Sequence, residues 1–322
     1  MKFRTEITLT PWQGERIEYS DNIVCLGSCF ASNIAAKLKE SKFNVADNPT
    51  GILFNPVSIA NSLRLMVSER AINREDIFER NGRYVSFMFH SSISGATPEE
   101  AITAMQDAIS RGGKELKKAN LIIVTLGSAY VWRTHDGKVV ANCHQVAAKN
   151  FTSELLSLEQ IVQSLEEIVA LTSAKIVFTV SPVRHLNDGL DGNSLSKALL
   201  RVAIDMVIRK HPDRVTYFPS YEIVMDDLRD YRFYDSDMLH PSAQAVEYIA
   251  DKFFEVALSE QATKQRSKVL EIMLARNHRP LNPTSEAYKN FCRQQLNAIA
   301  ELKNIDFSEE TRHFEQMLQI NL

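Results

Sequence analysis

A chain of 322 residues, 44% of them hydrophobic, is long enough to bury a sizeable core, as one large domain or a domain with an appendage. Its formal net charge of −3 provides neither the basic field of a nucleic-acid-binding protein nor a signature for anionic membranes. No window approaches a membrane span, the N-terminus lacks the apolar stretch of a signal peptide, and the four cysteines (Cys25, Cys29, Cys143, Cys292) form no CxxC pair, which together predict a reduced, cytoplasmic protein.

In chain order, residues 22–27 read as a short buried strand and 29–41 as an amphipathic helix. Residues 43–46 form a second strand, closed by the turn signal Asp47-Asn48-Pro49-Thr50-Gly51. A helix follows at 56–69. Residues 72–95 carry Asn81-Gly82, a hairpin signal between short β-like runs. After a helix at 98–117, the run Leu121 to Gly127 is the clearest core strand. A second hairpin turns at Asp136-Gly137 and ends at Asn142-Cys143-His144. The pattern continues with a helix (157–172), a strand (Lys175 to Val180), a helix (193–210), a strand (Val215 to Pro219) and a helix (242–258).

This βαβ rhythm with all-apolar strands predicts a three-layer α/β/α sandwich around a five-stranded parallel sheet, with two β-hairpin insertions. Ligands bind such sheets beyond the C-terminal strand ends, where Ser28, Gly51, Gly127 and Pro182 all fall. From residue 260 the pattern is helical and charged, broken at Arg279-Pro280-Leu281-Asn282-Pro283. The expected division is therefore a domain at 1–259 and a helical C-terminal extension at 260–322 that packs on the body or reaches a partner, with a homo-oligomer built through these helices as one option.

Two distant fragments carry the chemistry. Ser28 follows a strand at the mouth of a helix, where an exposed nucleophile sits in many α/β hydrolytic folds. Asp237-Met238-Leu239-His240-Pro241 can supply a base and its orienting carboxylate together. Ser28 would attack, His240 would accept its proton, and Asp237 would orient His240. The helix N-terminus favours negative charge, so the N–H of Ser28 or Cys29 and that of Gly51 are candidate oxyanion donors. Asn55 and Asn142 are the side-chain amides considered for a third donor.

These residues resemble a known family. Gly27 to Ala31 spell GSCFA, the motif that names the GSCFA domain family. Asn48-Pro-Thr-Gly-Ile-Leu-Phe-Asn-Pro56, Thr125-Leu-Gly-Ser128, Val140-Ala-Asn-Cys-His144, Ser181-Pro-Val-Arg-His185 and Arg229-Asp-Tyr-Arg-Phe-Tyr234 look like its other segments. The family is similar in layout to the SGNH/GDSL hydrolases, with a flavodoxin-like parallel sheet, an early serine and a late Asp-x-x-His. The resemblance implies a serine hydrolase or O-acyltransferase acting on an ester of a small molecule or carbohydrate; with no Gly-x-Gly-x-x-Gly, Gly-Lys-Ser/Thr loop or His-Glu-x-x-His in the sequence, no cofactor is implied. One block departs: where SGNH enzymes carry Gly-x-Asn-Asp, this chain has Gly127-Ser128-Ala129-Tyr130, and Ala129 cannot donate from its side chain. Asn142, Asn55 or Ser128 would then fill the hole, or the hole is weaker than in typical esterases.

Each residue also has a plainer reading. Ser28 can be a helix cap, and Asp237 with His240 a loop clamp. Cys29, at a helix N-terminus, is a rival nucleophile, although burial behind the serine is the expectation. His144 stands at the rim of the site or on the surface. Arg184 and His185 would bind a substrate carboxylate or phosphate, or pair with acids near Asp188. The alternative for the whole chain is a catalytically degenerate ligand-binding or scaffold protein on the same fold.

Overall fold

The structure, a computed structural model, describes residues 4–319. In chain order, β1 (Asn22–Gly27) leads to α1 (Cys29–Glu40), β2 (Asn44–Asp47) and α2 (Pro56–Val67). The hairpin of β3 (Phe78–Arg80) and β4 (Arg83–Val85) and then α3 (Pro98–Lys118) precede β5 (Leu121–Leu126). Next come β6 (Tyr130–Thr134), β7 (Val139–Val140), β8 (Phe151–Leu155), α4 (Leu158–Ala170), β9 (Lys175–Val180), α5 (Gly189–Lys210) and β10 (Val215–Tyr217). A single turn, α6 (Ser220–Glu222), is followed by α7 (Ala243–Ala257), α8 (Glu260–Asn277), α9 (Glu286–Glu301) and α10 (Ser308–Gln319).

The five strands expected from the apolar runs form one parallel sheet in the order β10-β9-β5-β1-β2. Counted among themselves they run 2-1-3-4-5, the flavodoxin-like order. Side chains alternate across a strand, so Val24 and Leu26, Ile122, Val124 and Leu126, and Ile176, Phe178 and Val180 share one face. That face packs into one cluster with Ile59 and Leu63 of α2, Ile161 and Leu165 of α4, and Leu200 and Ile204 of α5. Both hairpins form at their predicted turns, with Asn81, Gly82 and Gly137 at positive φ. The second is larger than its sequence suggests. Strand β8 pairs with β6 from Tyr130↔Leu155 to Thr134↔Phe151, making a three-stranded antiparallel sheet. Thr152 and Ser153 are exposed, so β8 lacks the alternating apolar pattern that would have marked it.

The described residues divide into two compact units. One holds the chain up to Thr8, Asn22–Ala36 and Val45–Asp251. The other gathers Leu9–Asp21, Lys37–Asn44 and the chain from Lys252, so the C-terminal helices share a unit with segments from near the start. Within this second unit Tyr19 stacks on Phe43 with ring centroids 4.2 Å apart, and Tyr19 Oη donates to the carbonyl of Ser41 at 2.9 Å. The break at residues 279–283 falls between α8 and α9, as expected. Glu310 of α10 is fully buried and accepts from Lys42 Nζ at 2.5 Å.

The tightest backbone approach in the sheet lies at the end of β1. Gly27 has φ +125, and a Cβ there would stand 2.1 Å from the carbonyl oxygen of Thr125. Gly82 also has positive φ, but open space surrounds it. Gly27→Ala is therefore expected to lose more than about 3 kcal/mol of stability, and Gly82→Ala about 1 kcal/mol, measured by urea unfolding. Lys42→Met, which removes the nearer cation from the buried Glu310 carboxylate and leaves Arg276 at 3.6 Å, is expected to lose about 2 kcal/mol in the same assay.

Candidate active site

The C-terminal ends of β1, β5 and β9 are knitted together by main-chain bonds. Ser28 N–H donates to Thr125 O at 3.0 Å, Ser181 N–H to Leu126 O at 2.8 Å, and Gly127 and Ser128 N–H both to Phe54 O at 2.7 and 3.0 Å. Asn48 braces the first of these ends. Its Oδ1 accepts from Gly27 N–H at 2.8 Å, its Nδ2 donates to Ser32 Oγ at 3.1 Å, and its own N–H reaches Cys25 O at 2.8 Å. The chain thus turns sharply from β1 into α1, with Ser28 at the turn.

Ser28 is 1% exposed, and its Oγ accepts from Phe30 N–H at 3.3 Å, the geometry of a helix cap. Its hydroxyl donates to no group among the described residues. Cys29, expected to lie behind the serine, is instead the more accessible of the two. Burial raises its thiol pKa, opposed by the N–H groups of Phe30 and Cys29 and by Lys197.

The Asp-x-x-His segment is assembled. Asp237 Oδ1 accepts from the N–H of Leu239 and of His240 at 2.8 and 2.9 Å, and Met238 takes φ +60 to close this turn. Asp237 Oδ2 lies 2.6 Å from His240 Nδ1. A carboxylate only accepts, so Nδ1 carries the proton and Nε2 is left as an acceptor. Both side chains are close to half exposed, and Nε2 makes no hydrogen bond among the described residues, to Ser28 or to any other group. The loop belongs to the same edge of the sheet, because Arg184 N–H, in the segment after β9, donates to Leu239 O at 3.3 Å. Strand β9 stands two strand spacings from β1, about 10 Å.

The remaining candidates are placed as follows. Gly51 N–H is taken by Asn48 O at 2.7 Å, and its φ of +86 lets the loop pass His90, whose Cβ would lie 2.3 Å from an added Cβ. Asn55 Oδ1 caps α2 through Ser58 N–H at 2.8 Å. Asn142 Oδ1 accepts from His144 N–H at 2.7 Å. His144 is buried in the hairpin packing, its Nε2 2.8 Å from Ser86 O and its ring beside Phe78 and Phe87, and burial lowers its pKa. Ser128 Oγ accepts from Tyr130 N–H at 2.9 Å. His185 pairs with Asp188 at 3.2 Å and edges onto Tyr130, while burial and the charge of Lys197 lower its pKa. Arg184 has no carboxylate partner among the described residues. Its guanidinium contacts Met225 Sδ and the Tyr234 ring, on the wall of a cavity of about 420 Å³ that Asp237 and Met238 also line.

One functional group escapes sequence reasoning. Lys197, inside α5, is 2% exposed, and its Nζ donates to Gly127 O at 2.6 Å and Ser181 O at 2.8 Å. Burial pushes its pKa down to about 7, partly offset by Cys29. A lysine in a helical run reads as solvent-facing, and only the fold turns it inward. No group of His, Cys, Asp and Glu among the described residues could hold a metal ion.

Fold and site together define a doubly wound α/β protein with a capped serine, a formed Asp–His pair and a buried lysine at one sheet edge. The chain belongs to the GSCFA family: the profile described as "GSCFA family" matches residues 22–253, and that of "GSCFA domain protein, C-terminal domain" matches residues 269–320. No curated protein matches the chain. A similar solved structure, described as that of "a putative platelet activating factor from Streptococcus pneumonia", is 11% identical, covers 73% of this chain and 83% of its own, and superposes with a TM-score of 0.36. Among the described residues no helix is long and apolar enough to cross a membrane.

The Asp237 carboxyl is held down to about 2, first by the N–H groups of His240 and Leu239 and then by the imidazole. A depressed carboxyl holds the loop above the ordinary carboxylate range and releases it as pH falls through about 2. Carbon-13 NMR of Asp237 is expected to show a midpoint near 2, rising in His240→Ala yet staying below the usual value of about 3.9 because both backbone donors remain.

Proposed function

We propose that this protein is an SGNH-like serine hydrolase or O-acyltransferase acting on an ester. The observation that carries the reading is the Asp237–His240 pair, with Nδ1 engaged and Nε2 open, on the sheet edge that also bears Ser28. In the proposed step Ser28 Oγ attacks the ester carbonyl carbon and its proton passes to His240 Nε2. The carbonyl electron pair moves onto oxygen, and collapse of this tetrahedral oxyanion expels an alcohol that takes the proton back. Water or an acceptor hydroxyl then resolves the acyl-serine. For this the His240 loop and Ser28 must close on one another, and the half-exposed loop is the part able to move. Arg184, without a carboxylate partner, is the residue on which we place a substrate anion. The choice of a carbohydrate O-acyl ester rests on resemblance to the wider SGNH group alone. We assign the protein to the cytoplasm on its four scattered cysteines, which form no CxxC pair.

A second reading, a ligand-binding protein on a degenerate site, is favoured by the burial of Ser28 and its capping bond to Phe30. A fluorophosphonate probe separates the two. The enzyme reading expects label on Ser28, mapped by mass spectrometry, that falls by orders of magnitude in His240→Ala while the thermal melt is unchanged. Absence of label on folded protein favours the binding reading, and label that survives Ser28→Ala assigns the nucleophile elsewhere.

A further inference from the structure

Lys197 is a buried cation without a carboxylate partner among the described residues. Taking an ammonium out of water with no counter-ion costs several kcal/mol, so its place in the fold calls for a reason. Its two bonds, to Gly127 O and Ser181 O, link the segments that follow β5 and β9. They use two of the three donors of an ammonium and both donors of a neutral amine. Gain or loss of a proton therefore changes only the third position, which no group among the described residues accepts from.

The charged and titratable groups facing Lys197 come from three neighbouring elements. Cys29 of α1 interacts favourably with it, His185 after β9 is disfavoured as a cation by it, and the Tyr221 ring of α6 lies 5.9 Å from Nζ. Gly27 and Thr125 are paired in register, so the strand end that leads into α1 lies beside the strand end that leads to Gly127, the residue whose carbonyl Lys197 holds. The N-terminus of α1, whose dipole favours negative charge, thus starts from the strand beside the segment whose carbonyl Lys197 holds.

Two of the expected oxyanion donors are occupied elsewhere, Gly51 N–H by Asn48 O and Ser28 N–H by Thr125 O, while Asn55 and Asn142 each accept a local N–H at Oδ1. Ala129 has no donor in its side chain.

We propose that Lys197 supplies the positive charge of this centre, its third N–H holding the oxyanion that forms at the mouth of α1 in place of a side-chain amide after β5. The assignment rests on the acyl-transfer reading for its anion, though not for its charge. Charged Lys197 is present below about pH 7 and lost above it, so its contribution fades as pH rises. A lysine acting as proton acceptor would do the reverse.

The test compares the full-length wild type with Lys197→Gln and Lys197→Met between pH 6 and 9, the melts of both variants being checked first. Two rates are read: fluorophosphonate labelling of Ser28, and iodoacetamide alkylation of Cys29, which needs no enzymatic activity. The wild-type to variant ratio cancels the protonation of His240. The expected ratio is about a hundredfold for Ser28 at pH 6, the size of one lost oxyanion donor, and falls towards one at pH 9. The ratio for Cys29 is expected to be about tenfold at pH 6 and to fall likewise, because a nearby cation favours thiolate. Ratios independent of pH leave Lys197 a structural tie, and ratios that grow with pH make it a base; either overturns the proposal. Absence of Ser28 label with the expected Cys29 ratios retains the charge and removes the acyl-transfer reading. Label on Ser28 with flat ratios does the opposite. If neither variant folds, Lys197→Arg, which keeps charge at every pH in the range, is expected to extend wild-type rates to pH 9, and an unaltered profile overturns the proposal.

Discussion

The C-terminal edge of the parallel sheet depends on the approach of two backbones at Gly27 and Thr125. No residue with a Cβ fits between them, since that carbon would stand 2.1 Å from a carbonyl oxygen. Because the strands come this close, the N–H of Ser28 can reach Thr125 O, and α1 begins within one residue of the strand. Asn48 secures the same point from the other side, its amide bonding to Gly27 and Ser32 together. The position of a helix N-terminus beside the ends of β5 and β9 is thus a steric result before it is an electrostatic one.

On that edge the charges are arranged in two different ways. Asp237 and His240 are exposed and tied into one short loop whose geometry is held by its own backbone N–H groups. Lys197 is buried and held by carbonyls from two distant segments. The first arrangement tolerates movement of the loop, since its internal bonds travel with it. The second is tied to the sheet, and its charge acts through low-dielectric surroundings where an interaction counts for more than in water.

Much of this was legible in the sequence. The five apolar runs became the five strands of the sheet, and Asn81-Gly82 and Asp136-Gly137 turned as their φ preferences require. Ser28, Asp237 and His240 were visible because each stands in a short local pattern. Strand β8 was not, because Thr152 and Ser153 leave it without apolar alternation and only pairing with β6 makes it a strand. The local bonds of Asn55, Asn142 and Gly51 were hidden for a related reason. Their types suit an oxyanion hole, and residue type alone does not show that the Oδ1 atoms of Asn55 and Asn142 accept from Ser58 and His144 N–H or that Gly51 N–H closes a turn on Asn48 O. Lys197 could not be found at all from spacing, since what singles it out is its burial and, among the described residues, bonds to carbonyls alone.

The outer strands of the parallel sheet, β10 and β2, are three and four residues long. A strand edge exposes a row of unpaired N–H and C=O groups that can template a foreign chain, and the hazard grows with its length. Parallel sheets also assemble from contacts distant in sequence, which prolongs the time their edges stand open during folding. With so few residues at either rim, this sheet offers little purchase for strand addition, a protection set by where its strands stop.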